Sequence, residues 1–164
     1  MPPMSRRRNM RRILLVFVAL AIAFSPASSP AANNHVLRIA GLRLVAPASW
    51  HLTREQLTEC SSPTQVMAVT DAHAHVGRGA KLPREKTLVL FLEDRGYQGG
   101  GFPLRRRFRV HPLERMGGCC EMPISTGFEL TFRDQGRNFY AFVYAGKRAN
   151  AEQAVAVLNT LVVG

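Results

Sequence analysis

The segment from Asn138 to Ala145 is apolar on both sides. As a strand it sends Phe139, Ala141 and Val143 to one face and Tyr140, Phe142 and Tyr144 to the other. A strand without a polar side must lie inside a sheet that is covered on both faces. Thr87-Leu88-Val89-Leu90-Phe91-Leu92 is continuously apolar and carries the same demand. The rest of the chain therefore has to supply a layer on each side of a sheet.

The other elements follow from local pattern. Val36–Ile39 and Leu42–Val45 flank Ala40-Gly41 and predict a tight hairpin. Pro47-Ala48-Ser49-Trp50 ends its second strand. Thr53 with Gln56 three residues on fits a capping box that opens a short helix, Arg54 to about Glu59, broken by Ser61-Ser62-Pro63. A strand from Val66 to about His75 precedes a Gly/Pro-punctuated loop through Pro83. The stretch Gly96–Gly101 is a loop. Leu104, Arg106, Phe108 and Val110 then alternate with Arg105, Arg107 and Arg109, which predicts another strand. Phe128–Arg133 alternates, Asp134-Gln135-Gly136 turns, and Asn138–Ala145 returns. Asn150 paired with Gln153 predicts the start of a closing helix, with Ala154, Val157, Leu158 and Leu161 at helical spacing. The predicted fold class is α+β: an antiparallel β-sheet with a short N-terminal helix and a C-terminal helix packed on it, in the manner of an α/β/α sandwich.

With 164 residues, 46% hydrophobic and 20% charged, the chain has enough apolar content to form a core, which excludes a disordered tail. It is too short for a (β/α)₈ barrel, which takes about 250 residues. Residues 1–32 are expected to lie outside the fold. Five arginines up to Arg12 precede an apolar run from Ile13 to Phe24, followed by small residues through Ala32. That order is a secretory signal peptide. Twelve apolar residues at 1.5 Å each span about 18 Å, short of the roughly 30 Å of a bilayer core. Residues 33–164 are expected as a single exported domain with no transmembrane span, secreted or held in the periplasm or cell envelope. This domain has 17 basic and 11 acidic residues, hence +6. Its 14 Arg against 3 Lys point to a GC-rich bacterial genome. The mild positive charge suits anionic envelope surfaces.

Cys60, Cys119 and Cys120 all fall in the exported part, where disulfides form. Adjacent cysteines strain as a pair, so Cys60 is expected to bridge to Cys119 or to Cys120.

Gly41-Leu42-Arg43-Leu44-Val45-Ala46-Pro47-Ala48-Ser49-Trp50 resembles the opening of PsbP-like α/β/α sandwich domains found in secreted actinobacterial proteins, including LpqN-type lipoproteins. The ending is similar too, with Asn138–Val143, Gly146 and Ala154–Leu161. No lipobox is present, a departure from the lipoprotein members. The resemblance implies a non-catalytic envelope module with no catalytic residues to carry over.

Two clusters carry chemistry. Asp71, His73 and His75 alternate, so a strand would place them on one face as zinc ligands. The bland reading is a polar strand end. Arg105, Arg107 and Arg109, about 6.6 Å apart on one strand face, would form a stripe for phosphates or carboxylates. The bland reading there is an edge strand guarded by charge. Only Phe108 interleaves the arginines, which disfavours nucleic acid as a partner. The glycine loop lacks the Gly-Lys-Ser/Thr ending of a phosphate loop, no Gly-x-Ser-x-Gly occurs, and Cys119-Cys120 is not Cys-x-x-Cys. The sequence is thus read as a secreted, non-enzymatic envelope module without a cofactor. Its expected partner is an anionic wall or lipid component or another exported protein. The competing reading is a small metal-binding protein or zinc-dependent hydrolase using Asp71, His73 and His75.

Overall fold

A computed structural model describes residues 33–73, 76–96, 101–116 and 122–164. The expected signal segment, His75, Cys119 and Cys120 lie outside the described residues. Every described element belongs to one compact unit, Ala32–Gly164.

The chain runs β1 (Asn34–Ile39), β2 (Leu42–Pro47), β3 (His51–Leu52), β4 (Thr64–Thr70), β5 (Thr87–Asp94), β6 (Glu114–Met116), β7 (Ser125–Asp134), β8 (Arg137–Ala145), α1 (Arg148–Leu158) and β9 (Val162–Val163). The main sheet is antiparallel, in the order β3-β4-β5-β8-β7-β6. The doubly apolar strands β5 and β8 sit at its centre, as their composition requires. A second sheet, β1-β2-β9, joins the first hairpin to the residues after the helix.

Each face of the main sheet carries its own core. On the front, Val89 and Phe91 of β5, Phe139, Ala141 and Val143 of β8, and Phe128, Leu130 and Phe132 of β7 pack with α1 and with Leu42, Leu44 and Trp50. On the back, Leu88, Leu90, Leu92, Phe142 and Tyr144 pack with Leu57, Ala72, Val76, Leu82 and Met122 from loops. Only the front therefore carries a helix among the described residues. The back layer is irregular chain, a departure from the α/β/α layering expected from the sequence.

The missing layer includes the helix expected over residues 54–59, which does not form. Thr53 does not cap: its hydroxyl accepts a hydrogen bond from the N–H of Glu55, two residues on, which makes a turn. The Gln65 side chain then holds the segment open. Its Oε1 accepts from the Leu57 N–H at 2.8 Å, and its Nε2 donates to the Glu55 carbonyl at 2.8 Å. A side-chain amide from β4 thus takes the backbone groups that a helical turn would have used, and Leu57 is left fully buried against the back face.

Both predicted hairpins form, each through a two-residue turn with both central residues at positive φ: Ala40 (51°) and Gly41 (77°), Gln135 (47°) and Gly136 (76°). This is the turn whose twist matches paired strands. The helix begins at Arg148, earlier than the Asn150/Gln153 pair predicts, and its cap Lys147 makes no side-chain hydrogen bond. Burial of Ala151, Ala154, Val155, Val157 and Leu158 holds it in place.

Arg137 of β8 pairs with Glu93 of β5 within the main sheet and reaches from there to the first hairpin, an arrangement that no local pattern in the sequence signals. Arg137 donates from Nε to Glu93 Oε1 at 2.9 Å and from Nη2 to Oε2 at 3.0 Å, while Glu93 is 6% exposed. The same guanidinium donates to the Ala40 carbonyl at 3.0 Å and lies 5.0 Å from the centre of the Phe139 ring. Gly41 accepts from the N–H of Gly164 at 2.8 Å, which closes the corner. The Arg137 hydrogen bonds hold the Glu93 carboxyl below its ordinary value of 4.5, against the opposing effect of burial, with Arg95 assisting.

Candidate anion-binding strap

Residues 101–113 cross from β7 toward the end of α1 and back to β6. No strand forms over Arg105–Val110, and the expected two-face alternation breaks. Arg105, Phe108 and Val110 are half-buried, whereas Leu104, Arg106, Arg107 and Arg109 are exposed. The slip has a clear origin. Phe108 lies edge-on to Phe132 at 5.1 Å, His111 stacks on Phe128 at 5.5 Å, and Val110 and Leu113 rest on the front core. Covering the front of β7 outweighs the local period of two.

Two polar anchors fix the strap. Asn159, at the end of α1, accepts from the Phe108 N–H at 2.8 Å and donates to the Phe108 carbonyl at 3.2 Å. Arg105 turns inward: its Nε meets Asp134 Oδ2 at 2.8 Å and its Nη1 donates to the Leu161 carbonyl. The stripe of Arg105, Arg107 and Arg109 expected from the sequence is thus not presented as one face, since Arg105 is committed to a structural ion pair. The exposed set is Arg106, Arg107 and Arg109, and none of these has an ion pair or side-chain hydrogen bond among the described residues. Arg106 escaped the sequence reading because alternation assigned it to the buried side. Arg106 and Arg107 border two grooves. One, of about 520 Å³, is shared with Asn159; the other, of about 220 Å³, lies against Leu130, Thr131 and Phe132 and includes Arg109.

The second expected cluster is not assembled as a strand face, because β4 ends at Thr70. Asp71 Oδ1 accepts from the Thr87 N–H at 2.6 Å, and the Thr70 hydroxyl donates to the Thr87 carbonyl at 2.6 Å. The carboxylate therefore closes the connection between β4 and β5. The ring of His73 stacks on His51 with centroids 6.0 Å apart. Among the described residues, no three His, Cys, Asp or Glu side chains lie close enough to hold a metal ion. Cys60 is engaged in a disulfide. Tyr144 is buried, with its hydroxyl 3.7 Å from Met122 Sδ, and burial followed by the Glu129 charge pushes its ionisation well above the ordinary range. No helix among the described residues is long and apolar enough to cross a membrane.

No protein-family model, curated protein or solved structure matches the chain.

Proposed function

We propose that this chain is an exported, non-enzymatic binding module of the bacterial envelope, and that its strap holds a polyanionic partner. The observation that carries this reading is the trio Arg106, Arg107 and Arg109: three exposed guanidiniums without counter-charges among the described residues, on a segment fixed by Asn159 and Arg105. Pre-organised arginines match phosphate and carboxylate geometry and lose less freedom on binding than arginines on a mobile loop. Export through the leader at residues 1–32, a bridge from Cys60 to Cys119 or Cys120, and the PsbP-like resemblance all accord with an envelope setting.

The test is binding of the full chain to polyphosphate at low and high salt, beside the Arg106→Gln/Arg107→Gln/Arg109→Gln variant. The expected result is salt-sensitive binding that the variant loses. Wild-type binding by the variant would remove the strap from the function.

A further inference from the structure

The register of β7 leaves part of its outer edge open. Asp134 and Arg137 flank a two-residue turn, so they exchange hydrogen bonds, and Phe132, Leu130 and Phe128 do the same with their partners on β8. The residues between them aim their N–H and C=O groups away from β8. At Arg133 the strap meets them: the Arg133 N–H donates to the Pro103 carbonyl at 2.7 Å, and the Arg133 carbonyl accepts from the Arg105 N–H at 2.9 Å. At Gly127 the partner is Glu114 of β6. Glu129 and Thr131 fall between these two, where the strap has left the plane of the sheet to seat Phe108 on Phe132. They have no backbone partner on that side among the described residues, and both are exposed.

Beside this open edge stand two further features. Leu104 is 66% exposed, the most exposed large hydrophobic side chain among the described residues. It lines the 220 Å³ groove together with Arg106, Arg107, Arg109 and Thr131. An unpaired strand edge presents main-chain donors and acceptors to a chain in extended conformation, and flanking pockets and charges choose its sequence. The arginines sit on the front side with the strap, whereas the side chains of Glu129 and Thr131 share the opposite face with Tyr140 and Phe142. A strand added here would meet positive charge at every second side chain.

We infer that the Glu129–Thr131 edge receives an extended acidic segment of a partner polypeptide, which adds a short strand between β6 and residues 103–105 and directs its carboxylates at Arg106, Arg107 and Arg109. This rests on the arginine reading above and adds to it the class of partner.

The experiment is calorimetry on the full chain with a short blocked peptide of alternating aspartate and valine, with two versions N-methylated on one or the other set of alternate amides, and with polyphosphate. The peptides share one charge, and the two methylated versions carry the same kind of modification, so they differ from each other in which main-chain donors are blocked. The expected result is that one methylated version binds on the order of tenfold or more weakly than the parent while the other binds like it. Thr131→Pro is the companion variant, since proline is tolerated where an edge N–H faces solvent. It should lose the peptide and keep polyphosphate. If both methylated versions bind like the parent, or if polyphosphate binds and the peptide does not, strand addition is overturned and the arginine reading stands. If neither polyphosphate nor the parent peptide binds, the arginine reading itself fails.

Discussion

Asn159 grips Phe108 by both of its main-chain groups, doing with one side-chain amide what a neighbouring strand would do with two backbone groups. The strap is held at its middle by this contact. Asn159→Ala should cost about 1–2 kcal/mol, the worth of two such hydrogen bonds. Hydrogen exchange at the Phe108 amide should accelerate more than at Phe139 in the core. Unchanged protection at Phe108 would show that apolar packing alone fixes the strap.

Neighbouring arginines should behave differently. Arg105 is a structural residue, so Arg105→Ala strands Asp134, which is 16% exposed, and should lower stability by about 1–3 kcal/mol. Arg107→Ala should leave stability within about 0.5 kcal/mol, as exposed substitutions do, and weaken polyphosphate binding. Urea denaturation and a binding isotherm on each variant separate the two roles, and equal effects on stability would contradict the assignment.

The Glu93–Arg137 pair predicts an acid limb of stability. Glu93 titrates below its ordinary 4.5 in the folded chain, so its contribution is fully present above that value. As pH falls through 4.5 the unfolded chain takes up the proton first, and the contribution drains away until the native carboxyl is protonated as well. Denaturation midpoints measured from about pH 7 to about pH 3 should fall in the wild type and fall less in Glu93→Gln. Arg137→Ala should cost about 3 kcal/mol at neutral pH, because it leaves a buried carboxylate with only the exposed Arg95 as its partner.

Gly127 has no room for a side chain. A Cβ there would lie 2.1 Å from the Val143 carbonyl oxygen and 2.7 Å from Met116 Sδ. Gly127→Ala should therefore destabilise by about 1–3 kcal/mol by overpacking, read as a lowered thermal midpoint. Gly136→Ala makes a useful contrast: nothing lies within 4 Å of its Cβ position, so its effect comes from the positive φ of 76° alone.

Much of the sheet is legible in the sequence because its signals are local. Ala40-Gly41 and Gln135-Gly136 sit between alternating runs, and the paired apolar faces of Leu88–Leu92 and Phe139–Tyr144 admit only central positions. The readings fail where a distant side chain takes over a backbone group. Gln65 does this to the predicted helix at 54–59, and Asn159 does it to the predicted strand at 105–110. Asp71 shows the same effect at a candidate site: its carboxylate serves the Thr87 N–H across the end of the sheet. The strap was legible as a run of arginines, but which of them face outward depends on Phe132 and Asp134, more than twenty residues downstream. No spacing rule within the run could supply that.

The seam between β2 and β9 sets an order of events. Leu42 pairs with Val163 and Arg43 with Val162, so the small sheet stays incomplete until the final strand is at hand. A chain threaded through a pore from its first residue would deliver β1 and β2 early and hold them half-partnered while nearly all of the remainder passes. Completion of the small sheet would then wait on β9, while the six strands of the main sheet need neither β1, β2 nor β9 to pair with one another.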